Sequence, residues 1–127
     1  MKTVRYYNPN PLGKNVGDCV IRALTKALDM SWEQVYSDLG SWGFVMADMP
    51  SSNAVWGAYL RHKGWKKRLL PDECPDCFTI GDFAERYAEG TYIVGTGSHV
   101  VTIQDGTIYD SWDSAKEIPT YYFAKDE

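Results

Sequence analysis

The sequence predicts a single α+β domain over residues 1–127, in which an N-terminal helical half packs on a C-terminal antiparallel sheet. As far as about residue 87, apolar residues recur at the three- and four-residue spacing of amphipathic helices. From Thr91 the spacing changes to the alternation typical of strands, and Asp105-Gly106 between two such runs is a strong hairpin signal. With 44% hydrophobic residues, a chain of this length can bury a core of its own.

The first helix is expected to begin directly after Asp18. Apolar residues form one stripe over residues 20–28, and Arg22 lies outside it. Asp18 is a good N-cap residue, so Cys19 would occupy the first helical position. Unpaired N–H groups and the positive end of the helix dipole favour a thiolate there, which makes a cysteine nucleophilic. The neighbouring carboxylate of Asp18 acts in the opposite direction, because it opposes ionisation of the thiol.

The remaining elements follow from capping and helix-breaking residues. Ser31 and Gln34 match a capping box that starts the second helix, and Gly40 marks its expected end near Leu39. Pro, Gly and Ser cluster in the expected loops, which are residues 8–13, 41–51 and 71–77. The other expected helices cover about 53–63 and 79–89, and the expected strands cover about 2–7, 65–70, 92–94, 99–103, 107–109 and 121–123.

Composition excludes several classes of function. The net charge of −4 argues against nucleic acid or an anionic membrane as the main partner, since both require a basic surface and the basic run at 63–68 is short. No stretch approaches 18 apolar residues, and the N-terminus lacks the apolar core of a secretory signal. We therefore expect a soluble, cytoplasmic protein; the sequence does not specify its oligomeric state.

Three cysteines are an odd number for a disulfide framework and suit a reducing compartment, where a free thiol persists. Cys74 and Cys77 form a single Cys-x-x-Cys, whereas zinc requires four ligands, so no metal site is expected. The pair also lacks the flanking strand and helix of a thioredoxin-like redox site. We interpret this segment as a loop and expect no cofactor.

A thiolate nucleophile needs a base within hydrogen-bond reach, and the base needs a third group that orients it. Of the two histidines, His62 lies in a basic stretch that we expect to be solvated. His99 opens a strand, where its side chain can face a cleft. Asp110 ends the next strand beyond the hairpin turn, and antiparallel pairing can bring its carboxylate to the His99 ring. Cys19, His99 and Asp110 thus form a complete candidate triad.

These residues carry a family resemblance. Gly17-Asp18-Cys19 opening a helix, Ser98-His99-Val100-Val101 on a strand and Asp110-Ser111-Trp112 on the next resemble the Cys, His and Asn/Asp-Ser-Trp blocks of papain-like cysteine peptidases. The blocks stand in the family's order and span residues 15–114. The small size and the aspartate third member are closer to compact bacterial and phage relatives, such as bacteriocin-processing peptidases, than to papain itself. The chain departs from the papain signature at Asp18 and Cys19-Val20, and it lacks the usual Gln several residues before the cysteine.

The resemblance implies a papain-like fold and a hydrolase that cleaves a peptide or isopeptide bond of a peptide or protein substrate through a thioacyl-enzyme. It assigns the base to His99 and the orienting carboxylate to Asp110. Asn15 is the nearest side-chain amide to the missing Gln, and it is the candidate second oxyanion donor beside the Cys19 N–H. Trp112 would shield the hydrogen bond between His99 and Asp110.

Simpler interpretations stay open at this point. Cys19 could be a small buried hydrophobe, and His99 could be a structural histidine. Asp113 competes with Asp110 for the third position, and we prefer Asp110 because it matches the motif position. Two other functions compete with hydrolysis: a catalytically inactive papain-like binding or structural module, and an acyltransferase or transglutaminase-like enzyme.

Overall fold

The structure is a computed structural model that describes residues 3–70 and 78–125. Its described part contains four helices and a six-stranded mixed sheet, which confirms the predicted α+β class. The helices are α1 (Cys19–Leu28), α2 (Trp32–Met46), α3 (Asn53–His62) and α4 (Ile80–Arg86). The strands are β1 (Thr3–Tyr6), β2 (Trp65–Leu69), β3 (Thr91–Gly95), β4 (Val100–Gln104), β5 (Thr107–Asp110) and β6 (Tyr121–Lys125).

The strands are ordered β1-β5-β4-β3-β6-β2 across the sheet. Neighbouring strands are antiparallel except at one edge, where β1 runs parallel to β5 and Tyr6 pairs with Asp110. The prediction of a wholly antiparallel sheet is therefore wrong at this edge, because parallel partners require a long crossover that strand alternation does not encode. The pairing fixes the end of β5, since Tyr7 N–H donates to the Asp110 carbonyl at 2.8 Å.

The helices cover both faces of the sheet: α1, α2 and α3 pack on one face, and α4 packs on the other. Helices α1, α2 and α3 share one core with strand residues such as Ile93, Val100 and Phe123. Helix α4 packs on the other face against a second core that includes Val101 and Ile108. Because successive residues of a strand alternate between faces, β4 contributes to both cores.

Helix α1 lies across β4 and is tied to it by a buried hydrogen bond. The hydroxyl of Thr102 donates to the carbonyl of Ala23 at 2.6 Å. The N-terminus of α1 therefore lies next to the start of β4. His99 directly precedes this strand, so it lies near Cys19.

Helix α2 is longer than expected. It continues through Gly40 to Met46, so the predicted end near Leu39 is wrong, as is the predicted loop over its last turns. Gly43 is required for close packing, since a Cβ there would lie 2.8 Å from the carbonyl oxygen of Asp48. The helix ends where Ala47 adopts a left-handed conformation with φ 56°.

Three of the expected helix starts have side-chain caps, and at the start of α3 the hydroxyl of Ser52 accepts from Ala54 N–H at 3.3 Å. The hydroxyl of Ser31 accepts a hydrogen bond from Gln34 N–H at 3.1 Å, although the Gln34 amide donates to Asp38 rather than completing a capping box. Thr79 and Asp82 form a complete capping box at α4. Residues 71–77 lie outside the described residues. The loop predicted for Cys74 and Cys77 falls in this segment.

The longest helix of the described ranges has 15 residues, and none there combines the length and the apolar character needed to cross a membrane.

Candidate active site

Asp18 stands at the N-cap position of α1, but its carboxylate makes no capping hydrogen bond. The predicted side-chain cap is therefore wrong. One carboxylate oxygen accepts from Arg22 Nη1 at 3.1 Å and the other from Trp32 Nε1 at 2.9 Å. Asp18 is only 6% exposed, and a buried carboxylate gains more from a charge-assisted bond to a guanidinium than from a backbone N–H. The negative charge beside Cys19 is thereby paired.

The half-buried thiol of Cys19 lies at the first residue of α1, as predicted. It accepts a hydrogen bond from Val100 N–H and is hydrogen-bonded to the ring of His99. Burial raises the pKa of this thiol, but these bonds together with the charges of His99 and Arg22 lower it by more. The net shift is downward, which favours the thiolate.

His99 is held by a tight turn just before β4. The hydroxyl oxygen of Thr96 accepts from His99 N–H at 3.0 Å, and Thr96 N–H donates to the His99 carbonyl at 2.8 Å. The ring Nε2 lies 2.7 Å from Oδ2 of Asp110, which leaves Nδ1 as the ring nitrogen that faces the Cys19 thiol. Burial lowers the pKa of His99, but the bonds and charges of Asp110 and Cys19 raise it to about 9.

The carboxylate of Asp110 is only 1% exposed and accepts four hydrogen bonds, two on each oxygen. Oδ2 accepts from His99 and, at 2.6 Å, from the hydroxyl of Ser114. Oδ1 accepts from Arg22 Nη2 at 3.2 Å and from Ser111 N–H at 2.7 Å. Burial raises the pKa of this carboxyl, whereas the bonds from His99, Ser114 and Ser111 and the charge of His99 lower it by more. The group is therefore an oriented carboxylate.

Asp113, the competing carboxylate, is exposed and accepts a hydrogen bond from Ala115 N–H at 3.0 Å. Of the two candidates, Asp110 is the one in contact with the His99 ring.

Arg22 is the site residue that sequence reasoning missed. Helical periodicity put it outside the apolar stripe, yet it is only 5% exposed and bridges Asp18 and Asp110 at 3.1 and 3.2 Å. Part of the signal was present, because Asp18 and Arg22 are four residues apart on one helix and can pair. The second partner comes from another element, and no local pattern indicates it. Three buried charges are compatible with folding here because each of them is paired.

Trp112 covers one side of the histidine. Its ring centroid lies 4.9 Å from that of His99, and the side chain remains 48% exposed. The other histidine, His62, is exposed, and its ring centroid lies 5.4 Å from that of Trp42, on α2. His62 thus occupies the solvated position expected for it, away from the contacts of Cys19.

Asn15 lies exposed in the loop that leads to α1, four residues before Cys19. The loop is held by the side chain of Asn10, whose Oδ1 accepts from Leu12 N–H at 2.9 Å and Lys14 N–H at 3.2 Å. Asn15 therefore follows an ordered turn. Its role as an oxyanion donor stays a prediction.

Within residues 3–70 and 78–125, no group of three or more His, Cys, Asp or Glu side chains is arranged to hold a metal ion. A cavity of about 470 Å³ lies near the opposite end of α1 from Cys19, where Leu28, Trp65 and Tyr92 contribute to its wall. None of the residues that line it contacts the Cys19 thiol.

No protein-family model, curated protein or solved structure matches this chain. What the site can do is therefore inferred from the geometry of Cys19, His99 and Asp110.

Proposed function

We propose that the protein is a small cysteine hydrolase that cleaves a peptide or isopeptide bond. Cys19 is its nucleophile, His99 its general acid and base, and Asp110 the carboxylate that orients His99. One observation carries the proposal: the His99 ring is hydrogen-bonded to the Cys19 thiol and, at 2.7 Å, to Asp110. A nucleophile, a base and an orienting group in contact are what thiol-based acyl transfer requires.

The opposite pKa shifts of Cys19 and His99 support this assignment. The pKa of the thiol is lowered and that of the imidazole is raised to about 9, and both shifts favour the thiolate and imidazolium forms of the pair. A thiolate is the reactive form of cysteine, and the adjacent imidazolium is the acid that a leaving amine needs.

In the first half of the reaction, the Cys19 thiolate attacks the carbonyl carbon of the substrate. The new C–S bond moves an electron pair onto the carbonyl oxygen, which the Cys19 N–H and the Asn15 amide stabilise. His99 then donates its proton to the amine nitrogen. The C–N bond breaks, the amine leaves, and a thioacyl-enzyme remains.

In the second half, neutral His99 takes a proton from a water molecule as the water oxygen attacks the thioester carbon. The C–S bond breaks, its electron pair returns to the sulfur of Cys19, and the carboxylic acid product leaves. Asp110 keeps its charge throughout and stabilises the imidazolium each time that it forms.

The arrangement also supports kinship with papain-like cysteine peptidases, which the three sequence blocks resemble. The cysteine opens a helix, the histidine precedes a strand, and the aspartate ends the neighbouring strand. A peptide or protein is the proposed substrate, and a reducing cytoplasm is the proposed compartment because it keeps a thiol free.

The proposal is tested by incubating the wild-type chain and Cys19→Ala with a peptide library that includes lysine isopeptides. Mass spectrometry then identifies newly formed termini. Termini that appear with the wild type and vanish with Cys19→Ala are the expected result. A wild-type chain that generates none would leave an inactive binding module as the better hypothesis. Products joined to an added amine in preference to water would instead indicate an acyltransferase.

A second test needs no substrate. Iodoacetamide at about pH 6, well below the ordinary cysteine pKa of about 8.5, should label Cys19 in preference to Cys74 and Cys77. His99→Ala should slow that labelling, because it removes the cation beside the thiolate. Equal labelling of all three cysteines in the folded chain would count against the hydrolase.

A further inference from the structure

A basic groove lies on the side of the sheet formed by β2 and β6, next to α3. Its inner part is a notch of about 20 Å³, roughly the space of one small polar group. The notch is lined by Asn53, Trp56, Arg61, Lys67, Tyr121 and Phe123. It adjoins an open groove of about 470 Å³ that shares Arg61 and Lys67 and is also lined by Lys66 and Leu69.

Tyr121 links this notch to Cys19. Gly95, the last residue of β3, pairs with Val100 on one side and with Tyr121 on the other. Two strand spacings put the Tyr121 backbone about 10 Å from that of Val100, whose N–H bonds to the Cys19 sulfur. The Tyr121 ring lies directly over Gly95, where a Cβ would overlap it, so the ring reaches back across the sheet. Burial raises the pKa of Tyr121, and the nearby Cys19 charge raises it further.

Two cations flank this tyrosine. Lys67 Nζ lies 4.7 Å from the centroid of the Tyr121 ring, and Arg61 lines the same notch. Both side chains are exposed, and neither forms an ion pair with a carboxylate in the described parts of the chain. On a protein with a net charge of −4, two adjacent cations that lack a carboxylate partner among residues 3–70 and 78–125 create a local positive potential around the Tyr121 ring.

The notch also offers a neutral donor. Oδ1 of Asn53 accepts from Trp56 Nε1 at 3.0 Å, so its amide N–H groups are the part of the side chain left to donate to a ligand. A guanidinium, an ammonium and an amide around a small space match the two oxygens of a carboxylate, which is an acceptor only.

We infer that Arg61 and Lys67 form a subsite for a carboxylate of the substrate, carried by an acidic residue directly next to the bond that Cys19 attacks. The inference rests on the proposed hydrolase function and names its substrate class, an acidic peptide or protein segment. One extended residue spans about 3.5 Å, and a glutamate side chain adds a similar length or more. Because the Tyr121 ring lies over Gly95, one strand spacing from Val100, this length brings the carboxylate to the side of the notch that the Tyr121 ring lines.

The experiment uses three thiol-directed probes and the full chain. The probes are the bromoacetyl derivatives of glutamate α-amide, glutamine α-amide and glutamine with a free α-carboxylate. In each case the Cys19 thiolate displaces bromide, and mass spectrometry gives the rate constant for Cys19. The variants are Arg61→Gln and Lys67→Gln, and Lys125→Gln is the matched control because it removes one charge at the far end of β6.

The glutamate amide should react faster with wild-type Cys19 than the glutamine amide does. Each groove variant should reduce that ratio by about two- to five-fold, the range of a single exposed ion pair, and the control should leave it unchanged. About 1 M salt should reduce the wild-type ratio as well. Thermal unfolding of each variant verifies that it is folded.

A ratio that is the same in wild type and both groove variants would overturn the subsite. A preference for free-acid glutamine over the glutamate amide would overturn the acidic-residue form, since it assigns the carboxylate to a chain terminus. These outcomes are distinct from failure of the hydrolase itself, in which none of the probes would label Cys19 in preference to Cys74 and Cys77.

Discussion

The guanidinium of Arg22 and the carboxylate of Asp110 lie 3.2 Å apart, although 88 residues separate them in the chain. Arg22 comes from the helix that carries Cys19, and Asp110 ends the strand that supplies the orienting carboxylate for His99. Arg22 donates to Oδ1 of Asp110, whereas His99 is hydrogen-bonded to Oδ2. Arg22 therefore fixes the rotation of the carboxylate group. It therefore acts as a positioning residue for the proposed nucleophile and base.

Replacement of Arg22 by Gln should destabilise the fold and weaken the thiolate. Asp18 and Asp110 would then be buried without their cation, a loss of about 3 kcal/mol in the free energy of unfolding. The pKa of Cys19 should rise, because the Arg22 charge is one of the causes that lower it. Chemical denaturation measures the first effect, and the pH dependence of iodoacetamide labelling measures the second.

Lys26→Gln is the matched control for Arg22, since it removes a positive charge one turn further along α1. It should change stability by about 1 kcal/mol or less, because its ammonium lies over the Tyr109 ring and makes no buried ion pair within residues 3–70 and 78–125. An Arg22→Gln chain as stable as this control, with unchanged labelling, would remove the positioning role.

Asp110→Asn should lower turnover by tenfold or more, roughly the range of a lost orienting group. Its charge and hydrogen bond raise the pKa of His99, so this pKa should fall below about 9. The alkaline limb of the kcat/KM profile should move to lower pH in parallel. Asp113→Asn is the control; if it proved the damaging change and Asp110→Asn were silent, the third member would have been assigned to the wrong carboxylate.

The pH dependence of kcat/KM should be bell-shaped. As pH falls through the lowered pKa of Cys19, the thiolate is lost. As pH rises through about 9, His99 loses the proton that the leaving amine requires. Alkylation by iodoacetamide needs only the thiolate, so its rate should persist above pH of about 9 while hydrolysis declines. His62→Ala should leave both profiles unchanged, and an alkaline limb that followed His62 would reverse the assignment.

Asn15→Ala should lower kcat by about a hundredfold, the cost of removing one oxyanion donor. Stability should change by less than about 0.5 kcal/mol, since Asn15 is exposed. Iodoacetamide labelling of Cys19 should be unaffected, because alkylation develops no oxyanion. Asn10→Ala provides the contrast: it should alter the loop, since Asn10 accepts two backbone hydrogen bonds there. Unchanged turnover in Asn15→Ala would assign the second donor elsewhere.

The parts of the fold set by local patterns were predictable. The helical stripe and the residue types around Asp18 put Cys19 at a helix start, and the Asp105-Gly106 turn paired the strands that bring His99 and Asp110 together. The choice of Asp110 over Asp113 depended on the resemblance, because the sequence alone does not fix which carboxylate faces inward.

Features that depend on distant contacts were not predictable. Arg22 is buried because two carboxylates from different elements neutralise it, and periodicity treats any charged residue as solvent-facing. The length of α2 was missed because Gly40 is typical of a helix end, whereas the helix continues through Gly40 and through Gly43, whose close packing against the Asp48 carbonyl no local pattern reports. The parallel pairing of β1 with β5 depends on a crossover of about a hundred residues that strand alternation does not report.

The wide spacing of Cys19, His99 and Asp110 makes the reactive thiol a product of complete folding. During synthesis Cys19 leaves the ribosome eighty residues ahead of His99, with no imidazole to bond its sulfur. Until β4 and β5 have packed against α1, it has the ordinary pKa of about 8.5 and reacts like any exposed cysteine. At about pH 6, Cys19 of nascent and misfolded chains should therefore be alkylated more slowly than Cys19 of the native protein.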